Sequence, residues 1–180
     1  METENFKRRL PDVKLMTVEK FNIAFDKRSR TYSSKDIEYV NEMIGNVWDM
    51  AFWEEYIDHM ARARYNLLSF WCLHPFTVMV KVPGYEDVVI EDVYDYKGKI
   101  KDMTIDEKIA HWHAVHALAA ARGIQIYWMT WNLFVEGANG KYGIKNRDVN
   151  NEATKAYIRK SMTHFLVEYP EISGFIIHPG

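Results

Sequence analysis

Short apolar runs alternate with amphipathic helical segments along this chain, and that alternation limits its fold more than any other feature. Phe21–Asp26, Leu67–Leu73, Ile124–Trp131 and Ile172–His178 are rich in aliphatic, β-branched and aromatic residues, as buried strands are. After the first, Asp49 is placed to cap a helix with Trp53, Tyr56, Ile57, Met60 and Ala61 on one face. Arg62 and Arg64 suit its negative end, and Asn66 is the expected stop. Thr104-Ile105-Asp106-Glu107 reads as a capping box opening a second helix through Ile109, Trp112, His113, His116 and Ala120, ended by Gly123. A third helix carries Tyr157, Ile158, Met162, Phe165, Leu166 and Tyr169 on one face, and Pro170 blocks its continuation.

Strand followed by helix implies a parallel sheet with right-handed crossovers. The helix-to-strand links (Tyr65-Asn66, Gly123, Pro170-Glu171) are very short, whereas the strand-to-helix links are long. The longest, Phe76–Met103, carries turn signals at Pro83-Gly84 and Lys97-Gly98 and has room for a small hairpin. Long loops after the strands put the working face at the strand C-termini. The predicted class is therefore α/β: an incomplete (β/α)8 TIM barrel of about four strand–helix units, spanning 1–180 with a polar lead-in over 1–19. A closed eightfold barrel takes about 250 residues; this chain has 180. A dinucleotide-binding fold is the competing α/β reading, but Asp26-Lys27-Arg28-Ser29 after the first strand holds no glycine.

Bulk charge removes some partners. With 23 basic and 25 acidic residues, nothing draws the chain to nucleic acid or to an anionic membrane surface. No apolar run approaches the roughly 18 residues of a membrane span, and Met1–Asp12 lacks the apolar stretch of a signal peptide. Localisation stays open beyond that. The single cysteine, Cys72, excludes an internal disulfide and a multi-thiolate metal site, and reads as a buried structural thiol.

Residues at the strand ends point toward a different ligand. Along the four strands these are Asn22, Asp26 and Arg28; Trp71 and His74; Trp128, Trp131 and Asn132; and His178. Indole faces pack on the apolar face of a pyranose, while amide, imidazole and carboxylate groups bond its hydroxyls. The same tryptophans also suit a barrel interior or the layer beneath the helices, and His74-Pro75 also suits a plain strand terminator. His113 and His116 share a helix face, yet no carboxylate joins them at ligand spacing, so no metal and no cofactor is expected. The acidic run from Tyr85 to Asp95 reads as a solvated loop face. Most glycosidases use two carboxyl groups. Near the predicted strand ends stand only Asp26 and Glu136.

Phe52-Trp53, Met60-Ala61-Arg62-Ala63-Arg64-Tyr65-Asn66-Leu67-Leu68-Ser69-Phe70-Trp71 and His74-Pro75-Phe76 carry a family likeness. With Lys20-Phe21-Asn22-Ile23 and the strand end Trp128–Asn132, they resemble bacterial barrel proteins similar to α-glucuronidase-type glycoside hydrolases. The helix, basic-aromatic-Asn, strand, aromatic-His pattern also looks like the second strand of β-N-acetylhexosaminidase-type barrels. The resemblance implies a barrel acting on uronic-acid-bearing or related plant or algal glycans, with Trp71, His74, Trp131 and Asn132 lining the sugar subsite. It also implies that His178-Pro179-Gly180 stands just before the family's catalytic glutamate. The expectation is one wall of a glycoside hydrolase site, binding an oligosaccharide or polysaccharide but without the catalytic acid. The alternative is a non-catalytic sugar-binding module that self-associates through open sheet edges.

Overall fold

The computed structural model describes residues 45–72, 74–94, 98–131, 135 and 137–178, and for Trp131 and His178 the backbone only. The strand expected at Phe21–Asp26 lies outside these residues. The architecture below belongs to the compact unit Val47–Gly180.

Asp49 caps α1 (Met50–Arg62) by accepting the Ala51 N–H at 3.0 Å, and Trp53, Ile57 and Met60 are its buried face. The helix ends ahead of Asn66, the expected stop. Tyr65 N–H reaches the Met60 carbonyl and Arg64 N–H the Ala61 carbonyl, with Arg64 left-handed at φ 63°. That closure normally uses glycine, and Gly123 at φ 69° performs it for α3 (Ile105–Ala120). Asn66 instead accepts the Gln125 N–H, aligning the start of one strand with the next.

β1 (Leu67–Cys72), β4 (Gln125–Trp131) and β5 (Gly174–His178) form a parallel sheet in the order β1–β4–β5 among the described residues. The order follows the sequence without reversal. Register pairs Leu68 with Ile126, Phe70 with Trp128, and Trp128 with Phe175. These residues join Trp53 and Ile57 of α1, Trp112 and Val115 of α3, and Phe165 of α4 (Glu152–Glu168) in one core. All three long helices therefore pack on one face of the sheet. The alternate residues Leu67, Ser69, Trp71, Tyr127, Met129 and Ile176 point the other way and are half-buried or exposed.

α3 starts at the expected capping box, Thr104 and Glu107 bonding each other's backbone N–H groups. Its buried arc is wider than the sequence stripe implies. Lys108, His111, Val115 and Ala119 are enclosed, whereas His113 is only half-buried and Ala120 is exposed. The reason is the long β1–α3 connection, which folds back over α3. It contains α2 (Phe76–Met79), a 3₁₀ turn at Glu86–Val88, and the hairpin of β2 (Val93–Tyr94) with β3 (Lys99–Lys101). The hairpin matches expectation.

The acidic run is not simply a solvated face. Glu91 accepts the Ile105 N–H at 2.7 Å, Asp92 accepts the Met103 N–H at 3.2 Å, and Lys108 Nζ donates to the carbonyls of Ile90 and Asp92. Lys108 is enclosed beneath this loop, and burial lowers its pKa. Removing the ammonium leaves two carbonyls without their donor, at about 1–3 kcal/mol for a buried group so orphaned. Lys108→Met is therefore expected to lower unfolding free energy by about 2 kcal/mol in urea titration, with the loop over 90–94 becoming the first segment to exchange its amides.

Candidate functional site

Parallel strands leave their C-terminal ends at one edge of the sheet, and the loops that follow build whatever lies above it. Across that end, Trp71, Met129 and Ile176 are in register, and Trp131 pairs with His178 one step further along. Trp71, half-buried, stands on the face away from the helices. Among the described residues at these strand ends none is Asp or Glu.

The two strand-end loops are ordered by packing on each other. Val88, Val135, Ala138, Ile144 and Tyr157 form a second, smaller core, with Tyr85 against it. Gly137 touches the first loop closely: a Cβ there would stand 3.0 Å from Ile90 Cδ1, at φ 86°. Only glycine suits both conditions.

His74 belongs to this loop core. Its ring is buried, Nε2 lies 3.0 Å from the Tyr157 hydroxyl, and Phe76 meets it edge-on at 5.1 Å. Burial pushes the His74 pKa down to about 3 and the Tyr157 pKa up to about 12, so both are neutral at pH 7. The imidazole thus tethers the start of the β1–α3 loop to α4.

Trp128, one of the strand-end tryptophans in the sequence, is a core residue at 3% exposure. Its indole N–H donates to His116 Nε2 at 3.0 Å, which fixes that nitrogen as an acceptor. His116 Nδ1 then donates to Glu171 at 3.1 Å. His113 lies between Glu171, 3.3 Å from Nδ1, and Glu168, 2.9 Å from Nε2. Carboxylates do join the two histidines, from the far end of α4 and the turn after it, which helix spacing could not reveal. They bond the rings in a chain, and no group of three or more His, Cys, Asp or Glu among the described residues forms a metal-binding cluster.

Of the other expected site residues, Asn22, Asp26, Arg28 and Asn132 lie outside the described residues, as does Glu136. Trp71 and the backbones of Trp131 and His178 share one end of the sheet, while His74 sits enclosed among the loops. Sequence reasoning misses the grouping of Tyr85, Tyr142 and Tyr157, which run as touching rings from the loop core to the surface. Its only sequence signal is the aromatic content. No described helix is long and apolar enough to cross a membrane.

No family model matches, and no curated protein matches by sequence. Among solved structures the chain is similar to a GH138 enzyme described as targeting pectin rhamnogalacturonan II. The TM-score is 0.59 at 27% identity, over 73% of this chain and 15% of that one. The chain therefore spans a small part of that enzyme's length and bears a relation to glycoside hydrolases.

Burial sets a pH dependence. The folded pKa values of His74 and His116 are about 3 and about 4, both below the ordinary 6.5 because burial disfavours the cation. The unfolded chain then binds more protons below pH 6.5, so their stabilisation is complete above that value and declines as pH falls toward 4. One extra proton corresponds to about 1.4 kcal/mol per pH unit. Unfolding free energy is expected to drop by about 2 kcal/mol between about pH 6 and pH 5, and His74→Gln should roughly halve that slope in urea titrations at each pH.

Proposed function

We propose that this chain forms part of the sugar-binding wall of a carbohydrate-active glycoside hydrolase, as consecutive strand–helix units of a (β/α)8 barrel. The likeness to a glycoside hydrolase carries this reading. Three structural features support it. The parallel strands follow sequence order among the described residues, the long helices cover one face, and the other face carries half-buried and exposed residues with Trp71 near its C-terminal end. Inside a barrel that second face would be the interior, and the strand-end loops would form the rim.

In this reading Trp71, Trp131, Asn132 and His178 line the subsite, joined by Asn22, Asp26 and Arg28 from the preceding strand end. His74 acts from beneath, holding the loop. The ligand is a pectic or related uronic-acid-bearing polysaccharide, the finer family being α-glucuronidase-like. The catalytic acid comes from residues outside this chain, so the chain binds sugar without turning it over.

Calorimetry with rhamnogalacturonan oligosaccharides and an aryl-glycoside hydrolysis assay test both halves. Binding without product release is expected, with Trp71→Ala weakening binding about tenfold or more through loss of a stacking face. Robust hydrolysis by the purified chain would sink the claim that its catalyst lies elsewhere.

A second reading, a self-associating sugar-binding module, is favoured by β5, an outer strand of the sheet among the described residues, where Ile177 is 52% exposed and Ile176 is also exposed. Exposed strand edges of this kind pair readily. If this edge is a contact between copies, analytical ultracentrifugation should show a dimer that Ile177→Glu converts to monomer; a monomer at every concentration removes the reading.

A further inference from the structure

We infer that Tyr142 is the face of a second, peripheral sugar-binding site, a stacking platform for one pyranose ring of an oligosaccharide, separate from the strand-end subsite. The inference rests on the carbohydrate reading above and extends it to a place that neither the sequence motifs nor the likeness assigns.

Tyr142 is 51% exposed, a large aromatic left at the surface of the β4–α4 loop. Side chains in such positions usually sweep many rotamers. This one is held from three directions. Its hydroxyl donates to Asp87 Oδ1 on the other strand-end loop. Its ring meets Tyr85 edge-on, centroids 4.9 Å apart at 69°, and Tyr85 in turn meets buried Tyr157 at 5.1 Å. Its backbone is left-handed at φ 51°, in a turn closed by Gly140 N–H to the Ile144 carbonyl at 2.8 Å and Ile144 N–H to the Lys141 carbonyl at 2.8 Å.

A left-handed backbone disfavours a bulky aromatic, and glycine or asparagine would satisfy the turn at lower cost. Such strain clusters where a side chain has work at the surface. A ring fixed before binding loses little freedom on contact, which suits stacking on the C–H face of a sugar. Polar groups for the hydroxyls surround it. Asp87 is exposed; Lys141 lies 3.8 Å from its carboxylate, and Lys160 sits over the Tyr85 ring at 5.7 Å. The platform stands on loops that leave the C-terminal ends of the strands, so a chain lying across the strand-end subsite has a second place to rest.

The competing explanation is that Tyr142 only ties the two loops together through Asp87. Two variants separate them. Tyr142→Asn removes the ring and suits the left-handed backbone; Tyr142→Phe keeps the ring and removes the Asp87 bond. NMR titration of the full chain with rhamnogalacturonan oligosaccharides, following tyrosine ring resonances, gives the readout. We expect Tyr142 signals to shift, Tyr142→Asn to weaken that binding about tenfold with unfolding temperature nearly unchanged, and Tyr142→Phe to retain it within about threefold. Binding that depends on Trp71 but leaves Tyr142 unshifted and is indifferent to Tyr142→Asn overturns the platform and leaves the proposed function standing. Equal loss of binding in both variants, tracking a loss of stability, also overturns it. No binding anywhere on the chain overturns both.

Discussion

The stack of Phe70 on Trp128 organises this molecule. The rings lie 4.5 Å apart and nearly parallel at 27°, and Trp112 of α3 stands edge-on to Trp128 at 4.9 Å and 85°. One contact thus joins two neighbouring strands and the helix between them. Each buried aromatic removes a large apolar area from water, worth about 25 cal/mol per Å². Trp53 of α1 extends the cluster on Phe70, and Phe165 of α4 meets Trp128 from the other side. With this much apolar surface on one face of the sheet, the helices have to gather there.

Burying that many indoles takes their N–H groups out of water; that of Trp112 finds no partner among the described residues, whereas those of Trp53 and Trp128 tie elements together. Trp53 donates to the Val47 carbonyl, which also accepts from His111, so the lead-in to α1 is pinned to both α1 and α3. Trp128 donates to His116, which hands the chain of bonds to Glu171 beyond α4. Satisfied buried polar groups of this kind specify one packing among several of similar apolar area.

The sequence reveals local patterns and hides what is assembled in space. The Thr104–Glu107 capping box and the Asp49 cap are legible because their partners lie within three residues. The strand–helix alternation is legible because side-chain direction repeats with a fixed period. Glu168 and Glu171 are unreadable as partners of His113 and His116, since 55 or 58 residues of chain separate each bonded pair. Lys108 looks like a surface cation of an amphipathic helix until the loop carrying Ile90 and Asp92 folds over it. Arg64 in a position that favours glycine follows from its being the third residue after Ala61, whatever its side chain. Of the candidate site, strand-end placement is legible for Trp71, but the enclosure of His74 depends on Tyr157, far along the chain.

Alternation along a strand also separates the core tryptophan from the candidate binding one. Residues 68, 70, 126 and 128 face the helices, and the two aromatics among them, Phe70 and Trp128, are locked into the core by stacking and by the His116 bond. Trp71 is one residue out of phase with Phe70, so the same pleat that buries Phe70 and Trp128 turns Trp71 to the face opposite the helices. The aromatic cluster that fixes Trp128 lies on the other side of the sheet. In the proposed reading, this phase difference is what leaves the Trp71 indole near the end from which the long loops rise, where the apolar C–H face of a sugar ring would stack on it.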